Sequence, residues 1–119
     1  MSKHVGSLHK VEVLPYVTDI EPYLDWSDAV VMPSRWELNP LVVWEARARG
    51  RGTIASDIDV FRDLSGSGPI WTFHNESAFA SVLEKLATDP TERTRAFNLA
   101  LESFKQLSTR SSIVEYLDV

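Results

Sequence analysis

The sequence contains no cysteine. This excludes a disulfide framework, a zinc–thiolate site and a cysteine nucleophile together, and fits a reducing compartment. Long apolar runs are missing as well. The longest stretches, such as Leu41 to Trp44, are far too short to cross a bilayer, and the polar stretch from Met1 to Lys10 lacks the apolar segment of a signal peptide. The expectation is a cytoplasmic chain with no integral membrane segment. An excess of positive charge is the third absence. Twelve Lys and Arg stand against seventeen Asp and Glu, a formal charge of -5, and such a field repels phosphate backbones and anionic membranes. Nucleic acid is therefore not the expected partner. No internal repeat, low-complexity tract or linker divides the chain.

What is present describes one folded domain spanning 1–119. A chain of 119 residues is 44% hydrophobic, 24% charged and 10% aromatic, the composition of an ordinary α/β protein. Short apolar runs rich in branched residues alternate with amphipathic stretches, as strands and crossover helices of a parallel sheet do. Four strands are predicted: Val11 to Leu14, Ala29 to Met32, Thr53 to Ser56 and Ile70 to Phe73. All are almost continuously apolar, as expected when helices cover both faces. The predicted fold is a Rossmann-like three-layer α/β domain with a mostly parallel sheet of about four strands.

The helix signals fall between these strands. Asp19 is placed to cap a short helix through Trp26, and Asn39 before Pro40 reads as an N-cap followed by proline at the first helical position. That helix should run to about Arg49, with Gly50 and Gly52 offering a left-handed residue to end it. Phe79, Val82, Leu83 and Leu86 define one helical face, and Phe97, Ala100, Phe104 and Leu107 a second. The second helix follows Asp89-Pro90-Thr91-Glu92, a capping box. A last helix is predicted from Ser112 to Leu117. The tryptophans Trp26, Trp36, Trp44 and Trp71 read as core or half-buried packing.

Chemistry concentrates in Pro33-Ser34-Arg35-Trp36-Glu37-Leu38-Asn39-Pro40-Leu41-Val42-Val43-Trp44-Glu45-Ala46, where two glutamates flank a loop-to-helix junction at the carboxyl end of a strand. Open α/β sheets bind ligands at that edge. A helix starting there points free N–H groups and the positive end of its dipole forward, which suits a diphosphate. Glu45 stands roughly 7 to 8 Å along the axis from the first helical residue. A carboxylate at that distance can accept hydrogen bonds from both ribose hydroxyls of a nucleotide whose diphosphate rests on the helix start.

Glu37 and Glu45, with seven residues between them, Ser34 upstream and Ala46 downstream, closely resemble the paired-glutamate motif of retaining GT-B glycosyltransferases of the large family 4, or group 1. Val11 to Val17 resembles the strand and turn that touch the nucleotide base. Asp28 to Ser34 and Thr53 to Asp57 resemble the strands around the motif, and Ala78 to Pro90 the penultimate helix. The resemblance spans about residues 11–117 and implies part of the C-terminal, nucleotide-sugar-binding domain. It assigns Glu37 to the donor sugar, Glu45 to the ribose, the Leu41 and Val42 amides to the diphosphate, and places Tyr16, Val17 and Ser34 at the nucleotide. No catalytic residue beyond the donor-sugar contact of Glu37 is implied, and no metal or other cofactor. The ligand is a nucleotide sugar or nucleoside diphosphate acting as substrate. Leu38-Asn39-Pro40 departs from the family's glycine-rich pattern, and Pro40 has no N–H to offer. Arg47 and Gly52 stand where an apolar residue and a proline are usual. The family's basic Arg and Lys and its acceptor-binding domain find no match in residues 1–10, so the chain alone is not expected to catalyse transfer. In the family two strands separate those resembling Val11 to Leu14 and Ala29 to Met32; their loss implies either a sheet rearranged and closed within one chain or, the favoured outcome, a homodimer covering an exposed sheet edge.

Blander readings stand beside these. Glu45 can pair with Arg49 four residues on, and Glu37 can be a solvated loop acid. Asp57-Ile58-Asp59 has the spelling of a metal motif from another glycosyltransferase fold, but its place after a strand fits a loop and helix cap better. Gly66-Ser67-Gly68 precedes a strand and reads as a turn rather than a phosphate cradle. His4, His9 and His74 show no ligand spacing. The alternative function is a stand-alone, non-catalytic α/β binding or interaction module, and a fragment of a longer enzyme is a third reading.

Overall fold

The structure, a computed structural model, describes residues 11–38 and 40–108. The elements are α1 (Glu21–Trp26), β1 (Ala29–Met32), α2 (Leu41–Ala48), β2 (Gly52–Ser56), α3 (Asp59–Ser65), β3 (Ile70–Phe73), α4 (Glu76–Thr88) and α5 (Pro90–Ser108). The three strands form one parallel sheet in the order β1-β2-β3. Ala29 pairs with Gly52 and Met32 with Ala55, while Thr53 pairs with Ile70 and Ser56 with Phe73. The α/β class and the parallel sheet are those the sequence predicts.

The predicted strand at Val11 to Leu14 does not form. These residues carry no regular structure, and Val11, Val13 and Leu14 are exposed. A run of four β-prone residues is no strand without a ladder partner, and among the described residues β1 and β3 are the unpaired edges of the sheet. The helix predicted at Ser112 to Leu117 and the N-cap residue Asn39 lie outside the described residues.

Side-chain alternation divides the sheet into two unlike faces. On one, Ala55 packs with Val43 of α2 and Phe61 of α3, with Met32, Ile58, Leu64 and Ile70 around them. On the other, α4 covers only part of the sheet. A cavity of about 700 Å³ remains there, walled by Trp26, Val31, Ile54, Leu83 and Leu86. The predicted α4 face is thus loosely covered: Leu86 is buried, whereas Leu83 is exposed. Trp26 and Trp36 are also exposed and Trp44 and Trp71 half-buried, so none of the tryptophans is a core residue.

α5 is rotated from the predicted face. Its buried stripe is Glu92, Ala96, Ala100 and Ser103, while Phe97 is exposed. Small side chains let α5 lie close to α2, and Phe97 lies beneath the Arg51 guanidinium instead. Asp89 caps the helix as predicted, accepting from the Glu92 N–H at 3.1 Å. The Glu92 carboxylate does not close the box, because Arg95 and Lys85 hold it.

α2 ends as glycine spacing predicts. Gly50 has φ +76°, its N–H reaches Arg47 O at 3.0 Å, and the Arg51 N–H reaches Ala46 O at 2.8 Å. This is the Schellman pattern. A Cβ on Gly50 would also overlap the Phe97 ring. Gly52 instead opens β2.

Arg47, where the resemblance expects an apolar residue, is fully buried. Its guanidinium donates to Leu64 O at 2.8 Å and to the Ser67 and Ser103 hydroxyls at 3.2 Å, and lies 4.6 Å from the Trp44 ring centre. Burial pushes its pKa down to about 10. The charge is accommodated by the carbonyl end of α3 rather than by a carboxylate. Gly68 makes this possible, since a Cβ there would stand 2.5 Å from Arg47 Cζ. The Gly66-Ser67-Gly68 turn therefore packs against an arginine at the amino end of β3.

Candidate functional site at the carboxyl edge of the sheet

All three strands end at one edge, where the following loops gather. After β1, Pro33 to Pro40 lead into α2, whose described start is Leu41 with Pro40 at the cap position. The predicted start at Pro40 is thus displaced by one residue. Val43 N–H bonds Pro40 O at 3.0 Å. The Leu41 and Val42 N–H groups bond no described residue, as expected for the first positions of a helix.

The motif glutamates sit on either side of this start. The Glu37 carboxylate accepts from the Ser34 hydroxyl at 3.4 Å. Glu45, one turn into α2, is exposed. The blander reading of Glu45 fails here, because Arg49 turns away to Glu21 at 2.5 Å and Asp25 at 3.0 Å. Glu45 makes no ion pair with any described residue. Tyr16 is 92% exposed and Val17 half-buried. Both lie in irregular backbone, and no hydrogen bond ties them to the motif.

A cavity of about 680 Å³ opens beside the motif. Val31, Ile58, Phe73 and Phe79 supply apolar wall, and the Phe73 and Phe79 rings meet edge to face at 4.9 Å. Ser34, Arg35, His74 and Asn75 bring polar groups to it. Asn75 caps α4, accepting from the Ala78 N–H at 2.8 Å. Ser34 both lines the cavity and bonds Glu37, so the cavity adjoins the sugar end of the predicted site. Glu37, Leu41, Val42 and Glu45 lie outside its lining.

Sequence reasoning missed Arg35, Asn75 and the placement of His74. The signal was topological: in a parallel sheet, residues just after each strand meet at one edge, which puts His74 and Asn75 after β3 beside Ser34 and Arg35 after β1. The Asp57-Ile58-Asp59 segment is a loop and helix start, as its position suggests. Both carboxylates are bound by Arg62, Asp57 at 2.8 Å. Hydrogen bonds to Asp57 and then Asp59 hold Arg62 above its ordinary pKa. Among the described residues no cluster of His, Asp and Glu suited to a metal occurs, and no helix is long and apolar enough to cross a membrane.

Comparison with known proteins gives one family. The model of the family described as glycosyl transferases group 1 matches residues 1–89, from the start of the sequence through α4. No curated protein and no solved structure gives a significant match.

Proposed function

We propose that this chain, which belongs to the group 1 glycosyl transferases, binds the nucleoside-diphosphate part of an activated sugar, in the cytoplasm, for transfer with retention. The observation that carries the reading is the start of α2. Two unbonded amides, Leu41 and Val42, face forward between Glu37 on one side and the exposed, unpaired Glu45 on the other. Amides and the helix dipole favour the diphosphate, Glu45 suits the ribose hydroxyls, and Glu37 suits the sugar. Pro40 contributes no amide, and among the described residues the basic side chains at this edge are Arg35, which lines the neighbouring cavity, and Arg62, which Asp57 and Asp59 hold. Binding is therefore weak, and the isolated chain does not turn the donor over. Leaving-group stabilisation is a large part of such catalysis and needs more positive charge than this edge carries.

The partner expected beside the ligand is a second copy. Among the described residues β1 is an edge strand, and Trp26, Val31 and Leu83 are 87%, 41% and 42% exposed around a hollow that Asp28 and Arg93 also line. A symmetric pairing that covers them removes both exposures. Sedimentation equilibrium showing only monomer mass up to near-millimolar concentration would refute it.

The nucleotide reading is tested by titrating amide-labelled protein with UDP, GDP and ADP and their sugar derivatives. The Leu41 and Val42 signals should move first, with dissociation constants in the high micromolar to millimolar range. Unmoved signals at millimolar ligand would instead support the non-catalytic interaction module.

A further inference from the structure

We infer that the 680 Å³ cavity at the carboxyl edge is a second small-molecule site, for an apolar group carrying one phosphate or carboxylate, with Arg35 as the anion-binding residue. The cavity adjoins the nucleotide site through Ser34, which lines it and bonds Glu37, but none of Leu41, Val42 and Glu45 lines it.

Arg35 is unlike the other described arginines. Arg47 donates to Leu64 O and two serines, Arg51 to Leu24 O and Asp25 O, and Arg93 to Leu86 O and Ala87 O. Arg49, Arg62 and Arg95 hold carboxylates. Arg35 alone bonds no described residue, and it lines the cavity. An exposed guanidinium with five donors and no acceptor is a ready partner for a bidentate anion.

Two carboxylates also line the cavity, Asp57 and Glu76, so Arg35 is the group an anion must reach. Asp57 is held by Arg62, which it shares with Asp59. Glu76 occupies the first turn of α4, against that helix's own positive end. Asn75 and His74 stand on the α4 side of the cavity from the β1 loop that carries Arg35. Behind this polar mouth, Phe73, Phe79, Ile58 and Val31 offer a wall suited to a ring or a short chain rather than to a sugar's hydroxyls. The volume lies within the range of ordinary ligand pockets. A site built this way recognises amphiphilic anions: the head on Arg35, the apolar body against the paired phenylalanines.

The test uses the whole chain, amide-labelled, titrated with phenyl phosphate, benzoate and the neutral benzyl alcohol. Phenyl phosphate or benzoate should move the signals of His74, Asn75 and Phe79, and benzyl alcohol should bind about tenfold more weakly. Which of the two anions binds tighter identifies the head group. Arg35→Gln should weaken the anions about tenfold and leave benzyl alcohol unchanged, and Arg35→Lys should restore part of the loss. Phe79→Ser should weaken all three, with circular dichroism checking that it folds. Glu45→Ala should weaken UDP but not phenyl phosphate, which separates failure of this inference from failure of the nucleotide reading. Equal anion binding by wild type and Arg35→Gln overturns the inference. So do shifts confined to Leu41 and Val42, or no cavity shift at millimolar ligand.

Discussion

The two edges of the sheet are built to opposite rules. At the amino edge, arginines close helix ends: Arg47 on α3, Arg51 on α1 and Arg93 on α4, each donating to last-turn carbonyls. Those carbonyls have no partner within their own helices, and the guanidinium fork supplies one, beside Ser27 on Leu24 O and Ser67 on Leu64 O. At the carboxyl edge, where Arg62 holds Asp57 and Asp59 and Asn75 caps α4, other donors and acceptors are left open: the Leu41 and Val42 amides, the Glu45 carboxylate and the Arg35 guanidinium. The same short chain thus satisfies its polar groups where helices must be held and exposes them where a ligand can arrive.

The comparison breaks most sharply at Arg47. Arg47→Ala should cost about 3 kcal/mol or more, because it removes a donor from Leu64 O and from the buried Ser103 hydroxyl and opens a void in the packed interior. Arg47→Lys should recover little, since one ammonium cannot reach all three acceptors in fork geometry. Urea midpoints at neutral pH check both. Gly50→Ala comes next, at about 2 kcal/mol, because φ +76° strains any side chain and the new methyl overlaps Phe97. Adding Phe97→Ala should relieve the overlap but leave the backbone strain, so the double variant regains only part of the loss.

These two positions also show what the sequence could and could not disclose. Gly50 was legible because a left-handed residue after a helix needs no tertiary knowledge. β1, β2 and β3 were legible for the same reason: continuous apolar runs bounded by turn residues. Val11 to Leu14 has the same spelling and is no strand, because pairing is a property of neighbours. Arg47 looked like a misfit on an apolar face. Its acceptors come from α3, the turn before β3 and α5, as far as 56 residues away, and nothing local encodes them. At the site, the motif at the start of α2 could be placed from residue spacing alone. The cavity could not, since Arg35 and His74 meet only through strand order.

The open edge should answer the opposite way to the braced one. Glu45→Ala should lower UDP affinity about tenfold, roughly the worth of hydrogen bonds to a charged acceptor, and leave the urea midpoint within about 0.5 kcal/mol. Calorimetry paired with urea unfolding separates the two effects. A stability loss like that of Arg47→Ala would mean that Glu45 braces the fold, and the contrast between the edges would fail.

The smallest effect concerns Glu92, an acid inside the braced region. Its carboxylate is buried at the start of α5, held by Arg95 and, at 3.3 Å, by Lys85. The hydrogen bond from Arg95, followed by that from Lys85, outweighs burial and holds its pKa below the ordinary value of 4.5. The unfolded chain therefore takes up this proton first as the solution is acidified. Stability from the pair is complete above the unfolded pKa and is lost as pH falls from about 4.5 through the lower folded value. Glu92→Gln should cost up to about 1 kcal/mol at pH 7, because both partners are more than half exposed and water screens them. Below the folded pKa the variant and wild type should converge. Urea midpoints measured from pH 7 to pH 3 would show the two curves closing as pH falls, and parallel curves would show that Arg95 and Lys85 do not set this acid's charge.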